Sequence, residues 1–202
     1  TDVDDLPVEF WYTPAGKDGT ADPNVLKATT AFKANRTVRL SSLLSTVFGL
    51  PEGSTGMVEM YSRFAGAFTL RSRTQSDTGG DPALLFGAEM PGVFAADGVD
   101  ASGGEAVVPG IVSNASSRTN LILANPTKQG VTAAVTVRSA DGTTSSTLSN
   151  IYVPPFSRQQ IDGVATAAGF PALALGSASV KATAGGGRVV PVASVIDNAS
   201  NS

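Results

Sequence analysis

Histidine and cysteine are both absent from this chain of 202 residues. Without histidine there is no Ser-His-Asp triad, no Cys-His dyad and no His-ligated zinc, iron or copper site. Without cysteine no disulfide holds the fold together, although bacterial exported proteins often avoid cysteine too. The sequence also lacks an S-x-x-K motif. Chemistry by a pair of carboxylates stays formally open, but we expect a protein that is not an enzyme.

Charge is sparse as well. Charged residues make up 15% of the chain, the net charge is −3, and no two Lys or Arg residues are adjacent. Nucleic-acid and anionic-membrane binders concentrate positive charge, so we exclude both partners. No stretch of about 18 apolar residues is present, so we expect no membrane insertion. No export signal is visible, which agrees with a mature exported chain.

Aromatic residues form only 6% of the chain, and the first half holds its sole tryptophan. Phe10, Trp11 and Tyr12 are consecutive in a predicted strand, so Phe10 and Tyr12 share one face and Trp11 has the other. We expect a core pair and one outward aromatic residue. The three residues are our candidates for a self-assembly or ligand surface, and an exposed Trp11 is suited to stacking on a sugar ring.

Glycine (22) and proline (12) are plentiful, as in proteins built from short strands and tight turns. In the second half, β-branched and small residues alternate with polar ones between Asn-Pro, Asp-Gly, Pro-Pro and Gly-rich turns. This pattern predicts half-buried antiparallel strands. We predict a short helical turn at 162–171, with Asp162 as cap and Gly169 as stop. The predicted strands are 105–113, 118–126, 131–142, 151–161 and a hairpin at 176–197 that turns at "AGGGR".

The first half repeats this order. "PVEFWYTPAGKDG" matches the strand and Asp-Gly turn that end at Gly142, and "ANRTVRLSSLLSTVFGLP" matches the strand and helix of "FSRQQIDGVATAAGFP". "GMVEMYSRFAGAFTLRSRTQ" matches the predicted hairpin at 176–197, with Val58 on Val180 and Ser72 on Ser194 at the same separation. We interpret this as an internal duplication, the alternative being two generic β-sandwich halves. The predicted units are residues 1–79, an ordered apolar connector at 80–104, and residues 105–202.

The motifs "VVPGIVSN", "SRTNLILANPT", "VPPFSRQQI" and "PVASVIDNASNS" are similar to uncharacterised tandem immunoglobulin-like β-sandwich repeats of exported bacterial proteins. The resemblance covers 105–202 well and 6–79 loosely. It implies an all-β protein of two tandem immunoglobulin-like antiparallel β-sandwich domains with short helical turns, located outside the cell or on its surface. It transfers no catalytic residues.

The first copy lacks counterparts of the strands at 105–113 and 118–126. Three explanations are open: a fragment boundary, strands donated by a neighbouring chain, or closure by the connector at 81–94. Donation from head to tail would give an open filament. We also expect no cofactor, with calcium as a minor alternative at two acidic clusters. These are Asp2, Asp4 and Asp5, and Asp97 with Asp100.

The expected function is therefore that of a non-catalytic extracellular or cell-surface structural repeat. Its partner would be itself, from head to tail, or its parent polypeptide. The alternative is a carbohydrate-binding or adhesion module of a larger exported protein, with a glycan as partner. An exposed Trp11 beside a polar groove would favour the module, and an open strand edge in residues 6–79 would favour assembly.

Overall fold

The computed structural model describes residues 5–33, 36–62, 70–76 and 86–199. These residues form antiparallel sheets with two short helices, which confirms the all-β prediction. The helices are α1 (Leu43–Phe48) and α2 (Val164–Ala167). The strands are β1 (Asp5–Pro14), β2 (Leu26–Lys33), β3 (Gly56–Ser62), β4 (Arg71–Ser76), β5 (Phe86–Pro91), β6 (Ala106–Ser113), β7 (Ser117–Asn125), β8 (Val131–Ser139), β9 (Ser145–Val153), β10 (Ser157–Ile161), β11 (Leu173–Gly185) and β12 (Val190–Asp197).

Strands β6 to β12 form one seven-stranded antiparallel sheet, which we describe as two layers over one core. One layer has the order β6-β11-β8-β9, and the other places β7 between β10 and β12. The layers meet at a corner where β6 pairs with β7 through Ser113 and Arg118. Two antiparallel layers with their apolar faces together are the arrangement of a β-sandwich.

Strand β8 lies at the centre of this core and carries the alternation that its sequence predicts. Its apolar residues are fully buried, and the residues between them are only half-buried. Leu121 and Leu123 of β7 belong to the same buried cluster, as does Val164 of α2. Burial of aliphatic surface, at about 25 cal/mol per Å², is therefore shared by both layers. The buried residues of β8 are Val131, Ala133, Val135 and Val137.

The predicted hairpin at 176–197 is wrong, although both strands exist. Strand β11 pairs with β6 and β8, while β12 pairs with β7 in the other layer. The "AGGGR" segment is therefore a connection between layers. Gly185 has a φ of 91°, which favours glycine. The predicted cap is also wrong: the residue before α2 is Gly163, and Asp162 accepts a hydrogen bond from Gln160 Nε2 at 2.6 Å.

The first half contains a three-stranded sheet in the order β2-β1-β3. Val8, Phe10 and Tyr12 of β1 are almost fully buried. The Phe10 ring meets Phe32 of β2 edge-on at 6.2 Å between centroids. The Tyr12 ring lies 5.7 Å from that of Phe48 at the end of α1. Aromatic rings thus form the core on this side of the sheet.

The order β2-β1-β3 repeats the order β9-β8-β11 of the second half. Tyr12 pairs with Val58 as Val135 pairs with Val180. Asp18 and Asp141 each begin an Asp-Gly-Thr turn. They are as far apart in the sequence as Tyr12 and Val135 are. Both aspartates accept a hydrogen bond from the threonine amide two residues on. Pairing order, register and turn chemistry all favour the internal duplication.

Two predictions about the first copy are wrong. In the described residues β3 and β4 do not pair with each other as a hairpin would: β3 pairs with β1, and β4 pairs with β5. Residues 36–40, which were expected to match β10, adopt no regular structure. The pairing of β4 with β5 agrees with the third explanation for the missing strands, because β5 lies in the connector.

The two halves touch at the loop after β1. Gly16 N donates to Arg158 O at 3.1 Å, and Gly19 N donates to Pro155 O at 2.9 Å. Arg158 Nε donates to Gly56 O at 3.2 Å. The end of the connector is fixed to the second half by an ion pair of 3.0 Å between Asp100 and Arg188. The turn before β10 and Arg158 of β10 therefore bind the loop after β1 and the start of β3.

Candidate functional site

Of the three candidate surface residues, two lie in the core. Phe10 is 1% exposed and Tyr12 is 3% exposed. Trp11 is half-buried on the opposite face of β1, so the prediction of a core pair and one outward aromatic residue is confirmed. Any surface function of this triplet must therefore involve Trp11. Its neighbours on that face are set by the register of β1 with β2 and β3.

Trp11 belongs to a group that we call the outer aromatic cluster. Lys27 is paired with Trp11 across β1 and β2, and its Nζ lies 4.2 Å from the centroid of the indole ring. The Tyr61 ring on β3 lies 4.9 Å from that of Trp11 at 55°. Such cation–π and tilted aromatic contacts are stabilising. The cluster comprises Trp11, Lys27, Tyr61, Glu9 and Glu59.

Two carboxylates complete the outer aromatic cluster. Trp11 Nε1 donates to Glu9 Oε2 at 3.3 Å, and the Tyr61 hydroxyl donates to Glu59 Oε1 at 2.7 Å. Burial raises the pKa of Glu59, and the hydrogen bond from Tyr61 partly opposes this. Burial and the bond to Glu59 both raise the pKa of Tyr61. The polar atoms of the two rings are therefore already bound within the cluster.

This geometry bears on the glycan alternative. A sugar ring stacks on the open face of an indole, with hydroxyl groups bound by carboxylates at its side. Glu9 and Glu59 are such carboxylates. However, Lys27 Nζ lies over the indole face, so a sugar would have to displace it or share that face. Tyr61, Lys27 and Glu59 were not recognised from sequence, because only the strand register brings them beside Trp11.

A second candidate is the stretch 36–40, which we call the open segment. Within the part of the chain that the structure describes, none of its residues makes a backbone–backbone hydrogen bond. Val38 is 47% exposed and Leu40 is 39% exposed. Unpaired backbone next to exposed alternating apolar side chains is the property of a strand without its neighbour. The sequence indicates the match of this segment to β10 but not its unpaired state.

Arg158 connects the halves at the edge of the first sheet. Burial lowers the pKa of its guanidinium group, and nearby Tyr12 and Asp162 oppose this. Burial raises the pKa of Tyr12, while Arg158 lowers it. The Tyr12 hydroxyl donates to Thr55 O at 2.9 Å, so its polar tip is satisfied. These contacts connect the first sheet to β10.

The acidic clusters differ in what can be said of them. Asp2 and Asp4 lie outside the described residues. Asp97 Oδ2 accepts from Phe94 N at 3.0 Å, and Asp100 Oδ1 accepts from Ser102 N at 3.0 Å. Hydrogen bonds from Ser102 lower the pKa of Asp100, with a small contribution from Arg188. No group of three or more potential metal-ligating side chains occurs among the described residues.

Comparisons with known proteins give no relatives. No family model, curated protein or solved structure matches this chain. None of the helices in the described ranges is long and apolar enough to cross a membrane.

Proposed function

We propose that this chain is a non-catalytic structural repeat protein of the cell surface or extracellular space, which assembles from head to tail through strand pairing between chains. The observation that carries the proposal is the incomplete first repeat. Its sheet β2-β1-β3 matches β9-β8-β11, but in the described residues β3 has no counterpart of β6 beside it. An incomplete sheet favours strand addition from another polypeptide.

The non-catalytic part of the proposal rests on the side chains present. The absence of histidine and cysteine removes the commonest nucleophile and general-base combinations. The half-buried carboxylate of Glu59 accepts a hydrogen bond from the Tyr61 hydroxyl. What the two halves share is instead an Asp-Gly-Thr turn, which fixes the connection between two strands.

The proposal keeps the immunoglobulin-like class for both repeats. Its support is the two-layer antiparallel arrangement of β6 to β12. Two features depart from that class. The last strand β12 lies beside β7 and the first strand β6 lies beside β11, whereas the last immunoglobulin strand lies in the C-F-G sheet and the first in the A-B-E-D sheet.

Light scattering and negative-stain imaging over a range of protein concentrations test the assembly. We expect species larger than the 20.4 kDa monomer that grow with concentration, and fibres with one chain per regular repeat. An association that does not close adds subunits without limit. A chain that stays monomeric at all concentrations, with exchange-protected amides along both edges of β3, contradicts the proposal.

The second candidate is a carbohydrate-binding or adhesion module. The observation that favours it is the outward position of Trp11 between Glu9 and Glu59. Screening on a glycan array, followed by calorimetric titration of each variant with a bound glycan, tests it, because Trp11 is the sole tryptophan and calorimetry needs no fluorophore. Binding that is lost in Trp11→Ala but kept in Tyr152→Ala supports the module. Tyr152 is a matched control because it is 55% exposed on the other half.

A further inference from the structure

The open segment at 36–40 occupies the position that β10 holds in the second repeat. Each is followed, two residues after its end, by a residue in the left-handed conformation: Ser42 with a φ of 51° and Gly163 with a φ of 52°. A short helix then begins in both copies, at Leu43 and Val164. Leu40 therefore corresponds to Ile161, the last residue of β10.

In the second repeat, β10 is a strand because β7 pairs with it. The register runs from Ser157 opposite Asn125 to Ile161 opposite Leu121. The open segment has the same length and the alternating sequence "RTVRL", but no neighbour in the described part of the chain. A strand needs a partner for its amides and carbonyls, so the missing partner explains why these residues adopt no regular structure.

The side chains identify the kind of strand that would complete the pairing. On β7, Leu121 and Leu123 are fully buried beside β10, and Ile161 packs against the same core. In the first repeat, Leu40 lies exposed in the place of Ile161, and Val38 lies exposed in the place of Gln159. An incoming strand with large aliphatic residues at alternate positions would cover them and contribute hydrophobic stabilisation.

A polar contact adds to the match. The Asn120 Oδ1 of β7 accepts a hydrogen bond from the buried Gly163 N at 2.9 Å. Ser42 holds the equivalent place in the first repeat and has the same left-handed conformation. Strand β5 matches the position of β7 only in part. It pairs with β4 as β7 pairs with β12, and within the described residues it has no pairing with the open segment.

We propose that the open segment is the docking site for an extended polypeptide strand of the β7 type, in which large aliphatic residues alternate with small or polar ones and an asparagine caps Ser42. The strand runs antiparallel to residues 36–40, as β7 runs to β10. This inference rests on the proposed role in strand-mediated assembly, and it names the segment that the first repeat receives.

The test uses the full chain and a synthetic peptide with the sequence of residues 115–127, "ASSRTNLILANPT". Amide hydrogen exchange is measured with and without the peptide. We expect exchange at residues 36–42 to slow by at least about tenfold at saturation, including at the Ser42 amide. A peptide with aspartate at the positions of Leu121 and Leu123 should give no protection.

Two chain variants distinguish specific docking at residues 36–40 from nonspecific binding of the peptide. Val38→Asp places a charge under the incoming leucines and should abolish the protection. Thr37→Asp, on the opposite side of the segment, is the matched control and should keep it. Both positions are exposed, so both variants should melt like the parent chain.

The outcomes are distinct. Protection of 36–42 in the parent and Thr37→Asp chains alone supports the site. Protection without peptide that falls on dilution supports the same site with a second copy as donor. No protection, or protection only elsewhere, overturns the inference. Peptide binding by a chain that stays monomeric overturns the filament proposal alone, and fibres with no peptide binding overturn this inference alone.

Discussion

Tyr12 of β1 and Val135 of β8 hold the same place in two sheets. Tyr12 pairs with Val58 of β3, and Val135 pairs with Val180 of β11. Val135 lies in one buried cluster with Leu121 and Leu123 of β7. Tyr12 has Phe48 of α1 against its ring instead. The first repeat therefore uses large aromatic side chains where the second repeat uses a second sheet, and this difference gives the following expectations.

Phe10 should be critical to the first sheet, because it takes the place of the small Ala133. Phe10→Ala should lower the free energy of unfolding of the first sheet by about 3–5 kcal/mol, the usual cost of removing a buried ring. Denaturant titration followed by Trp11 fluorescence measures this. Phe94→Ala is the control, because Phe94 is 74% exposed. Equal effects of the two substitutions would contradict the aromatic core.

Asn125 should be essential to the second repeat. Its Nδ2 donates to Gln129 O at 2.7 Å and to Pro154 O at 3.0 Å, and its Oδ1 accepts from Thr127 N at 3.1 Å. Asn125→Ala leaves these buried groups unpaired, so we expect a loss of about 1–3 kcal/mol. Calorimetry measures it. Asn24→Ala removes a single exposed hydrogen bond to Asp18 O and should cost much less, and a similar loss at both would show that the network is unimportant.

The sequence predicted the elements of the second half better than their pairing. Alternation in β8 is a local property of the chain, and it correctly predicted four buried side chains. The separation of β11 from β12 depends on which layer each strand joins, and the Gly-rich connection between them looks like an ordinary hairpin turn. Pairing is decided by the whole core, so a local pattern does not reveal it.

The candidate site shows the same limit. Trp11 was predicted to face outward because residues alternate along a strand. Its contacts with Lys27 and Tyr61 depend on the register of three strands. The open segment has a strand-like sequence, yet a strand forms only with a neighbour. Its unpaired state therefore follows from the absence of a neighbouring strand among the described residues, which no single stretch of sequence reveals.

The contact between Lys27 and Trp11 should be visible in solution. Lys27→Met keeps much of the side-chain volume but removes the ammonium group over the indole ring, which costs about 0.5–1 kcal/mol at an exposed site. The emission spectrum of the sole tryptophan should also change. Lys27→Arg should keep both stability and spectrum close to those of the parent. If Met and Arg behave alike, the charge does not interact with the ring.

Glu59 should make stability depend on pH. Its pKa is raised in the folded protein, so folding favours the protonated form. The stabilisation that comes from protonating Glu59 is fully present when the pH is below the pKa of Glu59 in the unfolded chain. It is lost as the pH rises through the pKa of Glu59 in the folded protein. At neutral pH the buried charge is therefore a penalty, and Glu59→Gln should raise the denaturation midpoint because its amide oxygen can still accept from Tyr61.

This stabilisation should shrink as the pH falls through the folded pKa of Glu59, where the parent carboxyl becomes neutral as well. Denaturant midpoints at a series of pH values from acidic to neutral measure the difference. Glu52→Gln is the matched control, because Glu52 is exposed in the turn before β3. A gain in Glu59→Gln that is the same at every pH would mean that the desolvated charge is not its cause, and that the amide simply packs better beside Tyr61.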